Sequence, residues 1–510
     1  MAEMLSPGVF VTEIDASTIA PTVSNSIGVF AGKFDKGPVG AYMLITNVDE
    51  LIQFYGLPSN QNYNDWYQVY NFLQYGNKLY LARASNVVDD GNPLSTNALA
   101  DAISEGGTAT VSSVLDPSVS GSDYVAIGND NEFENIESSI PMTGTDPKLR
   151  FIARNPGDWG NKIEIAIAKP EAFDVASTDP QASPQVAPTE VFDGIVLDEL
   201  FEYFPTGTEV GVVIRVDGEI KETFRVDFDE TARDANNKSS YIERVINGKS
   251  NYVFVKENTL NTTDIANHVF SIDSNAPGSP ATEGVISLAW GSNAPIQQND
   301  LMDAYDLWAN KEEVDIDIVI ANELAPAVAK NLADTRKDCI AFMGAAYGSV
   351  VGEKASQAVS NLIEARKTGD FNFNSMFCVL GGNYKYQYDR YNDKNRWVNI
   401  AGDIAGLRAQ TSTNRASWWA SAGLDRGQIK NVKKLAYNPT QGHRDVLYKN
   451  GINPIVSFPG QGNVMWGQKT LLAKPSSFDR VNVRGLFNTI ERSLSKMAKF
   501  QVMEFNDNFT

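Results

Sequence analysis

Few side chains in this 510-residue chain could perform chemistry, and their spacing limits what that chemistry is. His268, His443, Cys339 and Cys378 are its only histidines and cysteines, too few for dense His/Cys metal sites of the structural-zinc type. Both cysteines lie in apolar, strand-like runs, DCIAFMG and SMFCVLGG, where a small thiol packs as core. His443 stands in GHRDVLY beside Arg444 and Asp445, but a nucleophilic triad needs a Ser or Cys in a strand-to-helix elbow, and no G-x-S-x-G occurs. His443 therefore reads as structural or interfacial. Asp315 and Asp317 share one face of a strand, which would suit acid/base work, yet two solvated strand-end acids give the same pattern. No G-x-x-x-x-G-K-[ST] is present, and the glycines of FPGQGNVMWG sit between two strand-like segments as in a hairpin. The acidic run SGSDYVAIGNDNEFENIE lacks the register of a calcium loop and reads as solvated surface. No catalytic, cofactor-binding or metal residue is expected.

The elements around these residues predict an α/β (α+β) chain: a mixed sheet covered by helices, with inserted antiparallel β-rich domains and an extended N-terminal arm. Hydrophobic residues make up 42% and charged residues 21%, a balance that excludes wholesale disorder. Residues 1–25 read as an arm and linker in which LSPGVFVTEID is a lone strand, either tucked into its own sheet or donated to a neighbour's. Residues 26–96 alternate strands and helices as the first part of an α/β core. Short alternating runs between Gly, Pro, Asn and Asp then predict a protruding β insertion over 97–146 and a β-rich domain over 147–295. Strand and helix patterns return over 296–510, and strands Gly28 to Ala31 and Leu79 to Ala82 can join the same sheet. No window approaches 18 uninterrupted apolar residues and MAEMLSPGVF is not a signal peptide, so cytoplasmic synthesis without membrane insertion is expected.

Charge is unevenly spread. The formal balance is −20, but Gly381 to Thr510 hold 19 Lys+Arg against 9 Asp+Glu, which leaves −30 for Met1 to Leu380. The acidic total argues against direct nucleic-acid binding, and the asymmetry makes one half of the chain complementary to the other half of a second copy. Within the basic third, NYKYQYDRYNDKNRWVNIAGDIAGLRAQTS interleaves tyrosines, Trp397 and basic residues ahead of a small-residue helix starting near Ile400. Asp389, Asp393 and Asp403 would repel phosphates there. The stretch is either a long polar loop or an interface, since Tyr, Trp and Arg dominate interface hot spots.

Several blocks in order, LSPGVFVTEID, AGKFDKGPVG, NFLQYGNKLYLARA, GGNYKYQYDRYNDKNRWVNIAGDIAGLRAQT, SAGLDRGQIKNVKKLAYNPTQGHRDVLYKNGINPI and KPSSFDRVNVRGLFNTIERSLSKMAKFQVMEFNDNFT, resemble the tail sheath protein of contractile-tailed, T-even-like bacteriophages. The resemblance covers about the first 85 residues and nearly everything after Leu380; the β insertions resemble the family only in position. It implies a structural subunit that polymerises around an inner tail tube and contracts to drive the tube through the host envelope during genome delivery. The implied partners are other copies of the chain, the inner tail tube protein, and baseplate and tail terminator proteins; the implied location is the virion tail. It also makes Val9, Phe10, Val11, Thr12 and Ile14 a strand donated to a neighbouring subunit. Lys430, Lys433, Lys434, Arg480 and Arg484 are expected near sheath–sheath or sheath–tube contacts, the competing reading being a solvated basic face. Sheath proteins of this type continue beyond the FNDNFT block, so the chain is expected to lack a C-terminal segment. A headless contractile injection particle is an alternative within the same class, and a phage-associated carbohydrate-active hydrolase one from another class.

Overall fold

A computed structural model of the chain describes residues 26–87, 95–104, 126–137, 140, 147–168, 190–192, 195–196, 200–201, 203, 205, 207–234, 236–258, 285–499 and 502. It divides into two compact units, one built from residues 1–30, 67–80 and 308–510, the other from 31–66 and 81–307. Residues 26–96, read from sequence as the first part of an α/β core, contribute to both units, and strands Gly28–Gly32 and Leu79–Arg83 each span a crossing point.

The first unit is organised by a sheet whose strands run in the order Ile452–Asn453, Cys378–Gly381, Ile340–Gly344, Ile318–Ile320, Gly28–Gly32 and Leu79–Arg83. Ile318–Ile320 pairs in parallel with Gly28–Gly32 and with Ile340–Gly344, which in turn pairs in parallel with Cys378–Gly381. The strands from Ile318 to Gly381 are buried along their whole length, as a parallel sheet covered on both faces requires. Helices Pro326–Arg336 and Ala355–Lys367 provide the crossovers. Pro326 opens the first of these at N1, where a missing N–H costs no helical bond. Both expected early strands join this sheet, and Cys339 and Cys378 are buried in it as free thiols.

The Tyr-rich stretch is ordered as a hairpin rather than a loop. Tyr384–Asp389 pairs antiparallel with Lys394–Asn399 on one side and with Lys434–Leu435 on the other. FPGQGNVM forms the expected hairpin, with Ile455–Phe458 against Gly462–Met465. Helix Ala401–Asn414 is buried from Ala401 to Ala409. Its small residues permit close approach: a Cβ on Gly402 would lie 2.1 Å from the Gln68 carbonyl oxygen, and one on Gly406 2.6 Å from the Tyr75 ring.

The second unit is antiparallel. A four-stranded sheet has the order Glu219–Val226, Val210–Val216, Ile163–Ala168, Val285–Ser287, and a three-stranded sheet the order Val253–Glu257, Pro147–Ala153, Leu99–Ser104. Leu149, Phe151, Ile163, Ile165, Val212 and Val253 from the two sheets share one core cluster. The strand Leu99–Ser104, expected in a separate 97–146 module, is hydrogen-bonded to Pro147–Ala153. Its pairing partner supplies the bonds that a strand without a nearby hairpin partner would lack.

Candidate interaction surface

The Tyr384–Asp389 strand alternates Tyr, Lys, Tyr, Gln, Tyr, Asp, and the structure buries the polar set. Lys385, Gln387 and Asp389 are withdrawn from solvent, while Tyr386 is half-buried and Tyr388 exposed. The outward face carries aromatic rings with lysines above them. Tyr386 lies opposite Trp397 in the ladder, with ring centroids 4.8 Å apart. The Lys434 ammonium sits 5.0 Å from the Tyr386 ring centroid and 5.3 Å from that of Trp397, and Lys433 lies 5.0 Å from that of Tyr388. A cation over a π face is held electrostatically without losing its charge.

The inward face is a charge network. The Lys385 ammonium donates to Asp403 on helix Ala401–Asn414 at 2.9 Å and to the Lys430 carbonyl at 3.1 Å. The Tyr75 hydroxyl donates to the same Asp403 carboxylate at 3.1 Å and accepts from the Lys430 main-chain N–H at 2.7 Å. Burial pushes the Asp403 carboxyl up and the Lys385 ammonium down, each opposed by the charge of the other. A few residues on, Asp389 accepts from Arg396 at 2.7 Å, Tyr67 at 2.8 Å and the Asn392 side chain at 2.9 Å. Burial pushes that carboxyl up, but these hydrogen bonds outweigh it and hold Asp389 below the usual carboxylate range. Such an arrangement fixes a surface. It offers no open position for a reacting group, and among the described residues no cluster of three or more His, Cys, Asp or Glu could hold a metal.

The residues expected from sequence divide sharply. Lys430, Lys433 and Lys434 are exposed along the edge of this sheet. Lys430 is engaged within its own chain, donating to the Gln74 carbonyl at 2.6 Å above the Tyr75 ring. Arg480 is half-buried, bridged to Asp479 at 3.2 Å and hydrogen-bonded to the Tyr448 hydroxyl. Arg484 contradicts the expectation of a surface cation. It is 3% exposed, packs over the Phe377 ring at 4.8 Å and donates to Asn488 at 2.6 Å, so its charge is satisfied internally and withheld from any partner. Asp315 and Asp317 are not a solvated pair either: Asp317 is buried and bonded to Arg492 at 3.1 Å, whereas exposed Asp315 pairs with Lys496. His443 sits half-buried in the first turn of helix Gln441–Lys449, its N–H capped by Thr440. Val9, Phe10, Val11, Thr12, Ile14 and His268 lie outside the described residues. Lys385, Asp389, Arg396 and Asp403 went unrecognised as a network; the alternation of polar residues at 385, 387 and 389 was the signal for it.

Comparison with known proteins places this architecture. Residues 297–471 match the phage tail sheath protein central domain. The chain is 29% identical to the tail sheath protein of Vibrio phage KVP40 and 29% identical to that of Enterobacteria phage T4, in both cases over 99% of this chain and 88% of the relative. Among solved structures, the sheath tail proteins of Desulfitobacterium hafniense and Listeria innocua share the fold at TM-scores of 0.50 and 0.52. Their identities are 12% and 10%, with 97% and 95% of this chain covered and 83% and 80% of theirs. A matching central domain and alignments running through nearly its whole length make the chain similar to the tail sheath proteins of T4-like phages.

Proposed function

We propose that this chain is the structural subunit of a contractile tail sheath, located in the virion tail and self-associating into a helical array that shortens to drive an inner tube through the host envelope. The observation that carries this reading is the alignment with tail sheath proteins over 99% of the chain. In this role the subunit does mechanical work and no bond chemistry. The sequence holds no phosphate loop, so the free energy of the stroke resides in subunit contacts that differ between the extended and contracted arrays. A small difference per subunit, summed over a cooperative lattice, makes the transition one-way.

The inner tail tube, the baseplate and the tail terminator are the further partners of such a subunit, and synthesis takes place in the host cytoplasm. The rigid hairpin face supports the partner assignment: aromatic rings capped by Lys433 and Lys434 present cations and apolar surface together, which suits an acidic protein surface. No helix among the described residues is long and apolar enough to cross a membrane. Negative-stain microscopy of the full-length protein tests the reading: long striated cylinders or stacked rings are expected, and a field of discrete, non-associating particles would overturn it.

A further inference from the structure

Helix Val481–Lys499 is amphipathic in the wrong sense for a helix that owes its place to its own subunit. The buried side chains are Val481 in its first turn and then Arg484, Asn488 and Arg492, 3%, 1% and 6% exposed. The outward stripe is Phe487, Ile490, Leu494 and Met497, 40%, 41%, 58% and 43% exposed. Single exposed apolar residues are ordinary. Four at intervals of three, four and three are the a/d seam of a helix that expects a packed neighbour. At its N-terminal end the seam continues into Phe478, whose ring centroid is 4.9 Å from that of Phe487. The next residue, Asp479, lines a cavity of about 390 Å³ whose other charged walls are Arg366, Lys367, Lys449 and Lys469. An apolar seam and a strongly basic concavity therefore adjoin.

We infer that this composite surface is a docking site for an apolar, acid-flanked segment supplied by residues 1–380 of a second copy of the chain. The inference rests on the sheath reading for the presence of a second copy; the chemistry of the occupant comes from the surface itself. Four cations against one carboxylate in the cavity call for negative charge, and residues 1–380 carry 54 Asp+Glu against 24 Lys+Arg. Pairing of the helix with its own twin is disfavoured, since it would leave the four cations of the adjoining cavity without negative charge. A self-complementary contact also closes at two copies, whereas a contact between different surfaces propagates.

Sedimentation velocity of the intact chain tests this with two surface variants, each first checked for an unchanged circular dichroism spectrum. Ile490→Ser/Leu494→Ser is expected to weaken self-association at least about tenfold. Lys367→Glu/Lys449→Glu is expected to weaken it at low salt, with the difference shrinking at high salt. A photo-crosslinker at Leu494, in a mixture of isotopically light and heavy chains, is expected to link to residues 1–380 of the other copy. Links within one chain or to residues 381–510 of another would overturn the inference. So would undiminished assembly of the serine variant, which would leave the sheath reading intact. A wild-type chain that stays monomeric at every concentration would sink both.

Discussion

Lys385 and Asp403 meet at 2.9 Å with side-chain exposures of 0% and 1%, an ion pair that clamps the Tyr384–Asp389 strand to helix Ala401–Asn414. A pair so placed contributes little by itself, because desolvation offsets most of the attraction, but either charge left alone is costly. Asp403→Asn is therefore expected to lower stability by about 3–5 kcal/mol. The double variant Lys385→Met/Asp403→Leu should lose much less. Urea unfolding of the three proteins decides it, and a double variant worse than the single one would show that the charges are not coupled.

The glycines of the same helix make an independent prediction. Gly402→Ala places a methyl where the Gln68 carbonyl oxygen already sits, 2.1 Å from the ideal Cβ, so the backbone of residues 67–80 must shift. A loss of about 1–3 kcal/mol is expected from overpacking of this size. Gly442→Ala, on a helix position whose Cβ meets nothing within 4 Å, should be neutral or slightly stabilising and serves as the control.

Asp317 sets a pH dependence. Its burial outweighs the nearby Arg492 and Arg408 and pushes its carboxyl up to about 6. The folded chain then holds a proton that the unfolded chain releases, so this group's contribution is full below about pH 4 and fades as pH rises through 6. Asp317→Asn removes the fade. The stability of the Asn variant relative to the parent is expected to be more favourable at pH 7 than at pH 4, measured by thermal unfolding at both values; a constant difference would refute the shift.

The cysteines should be silent in the native state. Burial pushes the Cys378 thiol up to about 12 and the Cys339 thiol well above its ordinary value, so neither supplies thiolate at neutral pH. A thiol reagent is expected to find no reactive group in the folded chain and two after denaturation. Fast labelling of the native protein would contradict their burial in the sheet.

Lys433 and Lys434 test the exposed hairpin face. Both lie outside any ion pair among the described residues, above aromatic rings. Charge reversal at the two positions should leave the fold within about 0.5 kcal/mol, as surface changes usually do, and weaken assembly most at low ionic strength. Assembly unchanged from low to high salt would assign the face to solvent.

The sequence carried the alternation of strands and helices, and the structure follows it at Gly28–Gly32, Pro326–Arg336, Ala355–Lys367 and Ala401–Asn414. Those segments are legible because their periodicity, Pro and Gly signals are local. It was less informative where partners are distant. Leu99–Ser104 finds its neighbour more than 40 residues away, and the Tyr-rich stretch needed its register with Lys434–Leu435 to be seen as a sheet.

By itself the sequence determined the scarcity of His and Cys, the acidic front and basic back, the α/β alternation and the order of the family blocks. Only the tertiary structure decided which face of an amphipathic element points inward. A period of two or 3.6 separates two sets of side chains and is silent on which set is buried. Hydrophobicity would have placed Phe487, Ile490 and Leu494 inside and Arg484 and Arg492 outside; the reverse holds because Asp317, Asn488, Glu491 and the ring of Phe377 are there to receive the guanidinium groups. That inversion leaves apolar surface outside on a helix of the first unit, and it depends on packing partners far apart in the chain.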